Sequence, residues 1–205
     1  MMSFIEYIEY IEESSLHSWD IDDTLLHTNA NVHVKDKHGN TVKKLTNQEF
    51  NDHKLHPDHH YDFSEFSNAE KFNKESKPMP KMIDTLKRVH NKIKLGLSPH
   101  SKVVMNTARA DFDDKHKFLD TFKKHGIDID KIHVNRAGNE PGNDQPAQKK
   151  LIYLRKHLAQ HPYKNVHVYD DSYTNLKAVK GMAAEYPNTK FHTWHVGPNG
   201  SMRKV

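Results

Sequence analysis

Apolar residues change their spacing along the chain in a way that predicts alternating strands and helices. From residue 80 onward, short continuous apolar runs follow stretches in which apolar residues recur every three or four positions. A continuous run such as Val103–Met105 is typical of a strand covered on both faces in a parallel sheet. The alternation therefore predicts an α/β fold with a three-layer, Rossmann-like parallel sheet and right-handed crossovers.

The same pattern gives approximate bounds for the elements. It predicts strands at 103–105, 132–134, 166–169 and 191–196, and helices at 82–93, 112–125, 146–158 and 176–186. An additional strand is predicted before residue 20, although Ser15–Trp19 is more polar than the other runs. No internal repeat interrupts the series, so one domain covering residues 15–205 is expected.

Two segments lie outside this alternation. The pattern of residues 1–14 predicts an amphipathic helix with an apolar stripe formed by Phe4, Ile5, Ile8 and Ile11. We expect this stripe to pack on the domain, and docking of a partner is the alternative. Residues 28–77 predict a small, cap-like insertion after the first strand. The insertion begins with a hairpin around Gly39 and continues as a polar, aromatic stretch that Pro57 breaks.

Composition narrows the chemistry and the compartment. The 205 residues carry 31 Lys and Arg against 27 Asp and Glu, a net charge of +4 before any of the 18 histidines is protonated, so polyanionic partners are tolerated. The lack of cysteine excludes disulfides, a thiolate nucleophile and Cys-containing zinc sites. Because no run of 18 apolar residues exists and the amino terminus is acidic, we expect a soluble, cytoplasmic protein without membrane contact.

Histidines concentrate in the insertion, where a zinc site is one interpretation. The cluster combines four histidines with two acids: His53, His56, His59, His60, Asp58 and Asp62. A chance cluster is the other interpretation. We favour chance because the chain is rich in histidine and no helical zinc-binding pattern supports a site. Nearby aromatic residues could stack on a base, but we expect them to form the small core of the insertion.

Polar residues follow the predicted strands at the edge where parallel sheets bind ligands. Asp20–Thr24 follows the first strand, Asn106–Arg109 follows the run at 103–105, and Asp170–Ser172 follows the run at 166–169. Lys149 and Lys150 lie on the helix before the last of these strands. Each motif alone is most often a solvated loop or a surface ion pair. Their common placement at strand ends predicts one site.

This order of motifs resembles the haloacid dehalogenase (HAD) superfamily over roughly residues 19–196. The resemblance rests on Asp20-x-Asp22-x-Thr24-Leu25, a strand ending in Thr107, a helix-borne lysine and Asp170-Asp171. Within the superfamily, residues 103–109 and 149–172 are most similar to the 3′-phosphatase domain of viral polynucleotide kinase phosphatases. The resemblance implies a HAD-like fold in which the insertion after the first strand selects the substrate.

The resemblance and the chemistry of phosphoryl transfer together assign roles to the acids. Asp20 is the expected nucleophile, which forms an aspartyl phosphate, and Asp22 is the expected acid and base. Asp20, Asp171 and the backbone carbonyl of Asp22 are the expected ligands of Mg²⁺, which prefers hard oxygen atoms. Asp170 and Asn175 are expected in an outer sphere around these ligands. Asn175 stands where the family has an acid.

Four further residues are expected to bind the phosphate. The hydroxyl of Thr107 and the backbone N–H of Ala108 can donate to phosphate oxygens, and Arg109 can add a bidentate pair. One lysine is expected to neutralise charge between nucleophile and phosphate. Residue type does not separate Lys149 from Lys150, but the spacing to residues 156–158 in the polynucleotide phosphatase resemblance favours Lys150.

These expectations lead to a phosphomonoester hydrolase. An acid at position 22 suits protonation of an alkoxide leaving group, so the expected substrate is a phosphorylated small molecule such as a nucleotide, or a nucleic-acid 3′-phosphate end. A virus-encoded enzyme acting in the host cytoplasm fits the narrower resemblance. No Gly-x₄-Gly-Lys-Ser/Thr motif occurs, so no kinase half is expected. The alternative is a non-catalytic nucleic-acid-binding module, which three clustered carboxylates disfavour because like charges cost stability.

Overall fold

Strands and helices alternate along most of the protein, which we describe from a computed structural model covering residues 14–46, 49–50, 53–142 and 144–205. In chain order the strands are β1 (Ser15–Trp19), β2 (Leu26–His27), β3 (Val32–Lys35), β4 (Thr41–Leu45), β5 (His60–Asp62), β6 (Lys77–Pro78), β7 (Lys102–Thr107), β8 (His133–Arg136), β9 (Asn165–Asp170), β10 (Lys190–Val196) and β11 (Met202–Lys204). The helices are α1 (Ala69–Glu75), α2 (Pro80–Lys94), α3 (Lys115–Lys123), α4 (Pro146–Gln160) and α5 (Tyr173–Met182). The alternation confirms the predicted α/β class.

The central sheet has six strands in the order β11-β10-β9-β1-β7-β8. All neighbouring strands pair in parallel except β11, which is antiparallel to β10. The chain moves outward from β1 through β7 to β8, and then returns to the other side of β1 with β9. The strand order therefore reverses between β1 and β9, which is the point where open parallel sheets of this Rossmann-like kind bind ligands.

Helices cover both faces of this sheet because the side chains of each strand alternate between two apolar clusters. Leu16, Val104 and Val166 face α4 and α5, whose leucines complete one cluster. Trp19 and Met105 face the other way, towards α2 and α3. Both faces are thus buried, as the continuous apolar run of β7 predicted.

The polar strand β1 lies in the centre of the sheet, between β7 and β9. Its His17 is aligned with His167 of β9 and His192 of β10, and neighbouring rings stack with centroids 4.6 Å apart. Burial, followed by the neighbouring His167, lowers the pKa of His17 to about 3. The ring is therefore neutral at pH 7 and packs as a flat, largely apolar group, which explains how a polar-looking sequence forms a central strand.

The insertion has its own small sheet, with strands in the order β4-β3-β5. Val32, Val34 and Leu45 form its core, and the partly buried rings of Phe50, Tyr61 and Phe66 pack on them. A short antiparallel pair, β2 with β6, joins this region to the main sheet. The aromatic residues Tyr61 and Phe66 thus belong to the core of the insertion, as the sequence indicated.

Helix boundaries differ from the prediction where polar side chains cap the helices. Asp114 accepts a hydrogen bond from the N–H of Lys117, so α3 begins at Lys115 and not at 112. Ser172 accepts from the N–H of Asn175, so α5 begins three residues earlier than predicted. Helix α1 and strand β11 were not predicted at all. The expected helix at 1–14 falls almost entirely outside the described residues, and no helix within them is long and apolar enough to cross a membrane.

Candidate active site

The first acidic motif forms a tight loop directly after β1. The N–H of Asp20 still donates to the carbonyl of Tyr169 on β9, 2.9 Å away, and the N–H groups of Leu25 and Leu26 both donate to the carbonyl of Ile21. Ile21, Leu25 and Leu26 are fully buried. Because apolar residues anchor the loop on both sides of the acids, Asp20 and the next acid, two residues later, have fixed positions.

Three carboxylates meet at the ends of β1 and β9. One ligand oxygen from each of Asp20, Asp170 and Asp171 lies within 4.8 Å of the others. Lys150 enters this carboxylate cluster from α4, and its Nζ lies 2.8 Å from Oδ1 of Asp20 and 2.8 Å from Oδ2 of Asp170. The side chains of this ion triad are at most 7 % exposed. The structure thus brings together the ends of two strands that are far apart in sequence.

Burial and like charge dominate the electrostatics of the carboxylate cluster. Burial raises the pKa of Asp20 well above its usual range, and the neighbouring carboxylates add to this effect against the opposing influence of Lys150. Burial and the adjacent Asp170 likewise raise the pKa of Asp171 to about 7. Burial disfavours the charged form of Lys150, but the carboxylates of Asp170 and Asp20 outweigh it and raise its pKa. The cluster therefore contains more carboxyl groups than one ammonium group readily keeps ionised.

The neighbouring acids Asp170 and Asp171 differ in how many donors they already have. Asp170 is almost fully buried and accepts hydrogen bonds from Lys150, from the side chain of Asn175 and from the N–H of Ser172. Asp171 is only partly buried, and none of the salt bridges found in the described ranges involves it. Asp171 accepts a hydrogen bond from its own backbone N–H but has fewer donors than Asp170, so it has more capacity for another ligand.

The donor set of the carboxylate cluster fits a hard divalent cation. Its ligand atoms are all carboxylate oxygens, the type that Mg²⁺ and Ca²⁺ prefer, and a cation would offset the repulsion that raises the pKa values of Asp20 and Asp171. The expected participation of the Asp22 backbone carbonyl stays a prediction. Asp170, expected in the outer sphere, lies within the cluster itself, while Asn175 contacts it from outside.

Arg109 is bound to Asp22 and not open towards solvent. Its Nε and Nη2 donate to the carboxylate of Asp22 at 2.9 and 2.6 Å, and its Nη1 donates to the carbonyl of Phe66 at 2.8 Å. The hydroxyl of Thr28 also donates to Asp22, at 2.6 Å. Burial alone would raise the pKa of Asp22, but the guanidinium and these hydrogen bonds lower it. The phosphate contact expected of Arg109 stays a prediction.

The loop after β7 is held by a close backbone contact. The buried hydroxyl of Thr107 accepts a hydrogen bond from the N–H of Arg109 at 3.1 Å, and Ala108 is exposed between them. The N–H of Gly138 donates to the carbonyl of Arg109. A Cβ at Gly138 would lie 2.4 Å from the nitrogen of Ala110, so only glycine fits. The structure therefore adds Gly138, and Thr28 described above, to the residues that shape the site; no sequence signal marked either one.

The remaining candidates lie away from the carboxylate cluster. Lys149 points to the carbonyl of Glu140 at 2.7 Å, so Lys150 is the lysine of the pair at the site. In the insertion, the ring of His56 is tilted against that of His59 with centroids 5.1 Å apart, and His53 contacts Tyr61. The only possible metal-binding group found among the described residues is the carboxylate cluster. These contacts give no support to a zinc site in the insertion.

A cavity of about 10 Å³ lies at the carboxylate cluster, and its lining includes Asp20, Asn106 and Lys150. This volume is close to that of a single water and is too small for a phosphate group. A group of the size of phosphate could therefore reach Asp20 only from outside this cavity. Comparison of the chain with models of protein families, with curated proteins and with solved structures finds no match.

Proposed function

We propose that this protein is a Mg²⁺-dependent phosphomonoesterase of the HAD type, which works through an aspartyl-phosphate intermediate. The observation that carries the proposal is the buried Asp20 at the β1–β9 switch point, bound by Lys150 within a carboxylate cluster and followed two residues later by Asp22. Strand ends with a purely structural role would gain no stability from a buried carboxylate cluster, because clustered like charges destabilise the fold. Binding of a cation and a phosphate would explain why the carboxylates and Lys150 are placed together.

In the first half of the reaction, a carboxylate oxygen of Asp20 attacks phosphorus and the bond from phosphorus to the ester oxygen breaks. The leaving oxygen takes a proton from Asp22. Lys150 stabilises the charge that Asp20 and the phosphate bring together, and Thr107 with the N–H of Ala108 donates to phosphate oxygens. Asp20 and Asp171 would hold Mg²⁺, which would neutralise part of the negative charge of the nucleophile and the phosphate.

In the second half, Asp22 removes a proton from water, the water oxygen attacks the phosphorus of the aspartyl phosphate, and the bond to Asp20 breaks. The contact with Arg109 keeps Asp22 ionised, which is the form this second half requires. The first half requires protonated Asp22. We therefore expect Arg109 to exchange Asp22 for phosphate oxygens when substrate binds, which frees the carboxyl group to take up a proton.

The substrate we propose is a nucleotide or a nucleic-acid 3′-phosphate end. The support for it is the similarity of residues 103–109 and 149–172 to polynucleotide 3′-phosphatases, together with the net charge of +4. The proposal makes salt dependence a marker, since contacts to a phosphate backbone release counterions while contacts to a single phosphate release few.

Phosphate release from a 3′-phosphorylated oligonucleotide, with Mg²⁺ and with chelator, tests the chemistry. Asp20→Asn is expected to lower kcat/KM by at least about 10³-fold, since removal of a nucleophile has effects of this size or larger. Asp120→Asn makes the same chemical change on the exposed face of α3 and is the matched control. An Asp20→Asn variant as active as Asp120→Asn would reject the nucleophile, and activity indifferent to chelator would reject the metal.

A further inference from the structure

An exposed aromatic ring begins the helix that follows the carboxylate cluster in the chain. Tyr173 is the first residue of α5, two positions after Asp171, and it is 56 % exposed. Its ring stacks on the ring of His195, with centroids 3.9 Å apart and an interplanar angle of 13°. One face of the tyrosine is thus covered by histidine, while more than half of the residue remains open to solvent.

Two separate elements fix the position of this pair. His195 lies on β10, where its Cα is paired with that of Asp170 on the neighbouring strand β9. Side chains paired in this way share a face of the sheet, so His195 lies next to the carboxylate cluster. Tyr173 is fixed from the other side, because Ser172 caps the helix that Tyr173 begins. The ring pair is therefore positioned before any ligand arrives.

Positive charge flanks the pair. Arg203 on β11 is directly opposite His195 in the antiparallel ladder, and Lys177 lies one helical turn after Tyr173. Both side chains are exposed, and neither takes part in a salt bridge within the part of the chain that the structure describes. A flat aromatic face with free cations beside it matches a nucleotide, which offers a flat base and negatively charged phosphates.

The aromatic residues of the insertion suit this role less well. Phe63 is 47 % exposed, but it meets Phe50 edge-on at 5.4 Å and Phe66 at 6.2 Å, as part of the aromatic group that covers the insertion core. Its ring does not lie stacked on a neighbour with one face open. Tyr173 does, and Tyr173 is also the exposed ring close to Asp171 in the chain.

We propose that Tyr173, supported by His195, is a specificity-determining residue that stacks on the base of the leaving nucleotide, with Arg203 and Lys177 contacting the next phosphate of a nucleic-acid strand. This inference rests on the proposed phosphatase function. Stacking of one base on an aromatic side chain corresponds to about 5- to 100-fold in affinity.

Phosphate release with Mg²⁺ from three substrates tests the proposal: a 3′-mononucleotide, a 3′-phosphorylated oligothymidylate and glycerol 2-phosphate, which has no ring. Tyr173→Ala is expected to lower kcat/KM for the two nucleotide substrates by about 5- to 100-fold, chiefly through KM, and to leave glycerol 2-phosphate unchanged. Tyr173→Phe is expected to behave like the wild type. Equal losses on all three substrates, or none, would overturn the proposal.

The same comparison separates a free nucleotide from a nucleic-acid end. Arg203→Ala and Lys177→Ala are expected to weaken turnover of the oligonucleotide at low salt and to spare the mononucleotide, while Lys180→Ala, exposed further along α5, is the control. Loss with both substrates would contradict the assignment of these cations to the next phosphate.

Failure of the phosphatase function itself would be recognised in a separate measurement. Binding of the same oligonucleotide to Asp20→Asn, with and without Tyr173→Ala, does not require turnover. A wild type that releases no phosphate from any substrate would reject the proposed function. If Tyr173→Ala still weakened binding of the oligonucleotide in that case, the proposed stacking of a base on Tyr173 would stand. If binding did not depend on Tyr173, the proposed stacking would be rejected as well.

Discussion

The carboxylate cluster and the insertion both contain short ion pairs, but they differ in burial. Lys150 lies 2.8 Å from Asp20 with both side chains 7 % exposed, whereas Lys35 lies 2.9 Å from Asp62 in the insertion with side chains 28 % and 24 % exposed. Nearly equal distances thus describe two different situations. In the cluster, charges are held out of water, and removal of one leaves others uncompensated. In the insertion, water replaces a lost partner.

The difference separates two uses of charge in one fold. Charges of the insertion, including Glu65 with Lys71 and His33, connect its strands to the helix that follows them. They shape a surface region whose core is only a few residues. The charged residues of the carboxylate cluster lie where the strand order of the sheet reverses. At such a buried position, stability alone would favour apolar residues. We infer that function maintains the second group.

Replacement of Lys150 by methionine is expected to have the largest effect on stability. The change leaves Asp20 and Asp170 buried without their cation, which costs about 3 to 5 kcal/mol of the free energy of unfolding. Lys149→Met, on the neighbouring residue that contacts only the carbonyl of Glu140 in the described structure, is the control. Urea unfolding of both variants measures the difference, and equal stabilities would show that the triad is not as buried as described.

Replacement of Gly138 by alanine is expected to come second. The new Cβ would lie 2.4 Å from the backbone nitrogen of Ala110 and 2.6 Å from the carbonyl oxygen of Ala108, so the loop must move at a cost of about 1 to 3 kcal/mol. Gly181→Ala is the matched control in α5, where nothing lies within 4 Å, and it is expected to stabilise by about 0.5 to 1 kcal/mol. Thermal unfolding that shifts both variants in the same direction would contradict the described contact.

Asp171→Asn is expected to stabilise the protein in a pH-dependent way. Because burial and Asp170 raise the pKa of Asp171 to about 7, the folded protein holds a proton between about pH 4 and pH 7 that the unfolded chain releases, and stability falls as the pH rises through this window. Without divalent cations, the variant is expected to gain about 1 to 2 kcal/mol at pH 8 and less at pH 5.

Urea unfolding of Asp171→Asn and Asp120→Asn at the two pH values checks this expectation, and a gain independent of pH would refute the raised pKa. Added Mg²⁺ should narrow the gap between wild type and Asp171→Asn at pH 8, since only the wild type keeps the charged ligand.

Lys35→Met is expected to have the smallest effect. The pair with Asp62 is partly exposed, and such pairs contribute about 0.2 to 1 kcal/mol. A double-mutant cycle with Asp62→Asn isolates this coupling from other effects of each change. A coupling energy as large as that between Lys150 and Asp20 would remove the contrast between the two regions.

The sequence predicted the parts of this molecule that depend on local pattern. Apolar spacing located β7, β9 and β10 and the helices between them, because apolar side chains of these strands pack against one apolar face of each helix. Polar residues at strand ends located Asp20, Asp171 and the loop from Thr107, because parallel strands bring their carboxyl ends to a common edge. These signals need only a short stretch of chain.

The parts that escaped prediction depend on contacts between distant segments. Nothing near Arg109 in sequence indicates that Asp22 and the carbonyl of Phe66 would bind its guanidinium, since those partners come from the loop after β1 and from the insertion. The sequence does not distinguish Gly138 from other loop glycines, because its close approach to Ala110 is visible only in the structure. Tyr173 belongs to a stacked ring pair only because β10 places His195 against one face of its ring.

The position of β1 between β7 and β9 has a consequence for the time at which the protein acquires its site during synthesis. Asp20 leaves the ribosome early, but Lys150, Asp170 and the strand that aligns them emerge only with the last third of the chain. Until then β1 lacks one of its two neighbours, and its acids remain hydrated. A nascent chain stalled before residue 165 should therefore be unable to assemble the carboxylate cluster, however well its first half has folded.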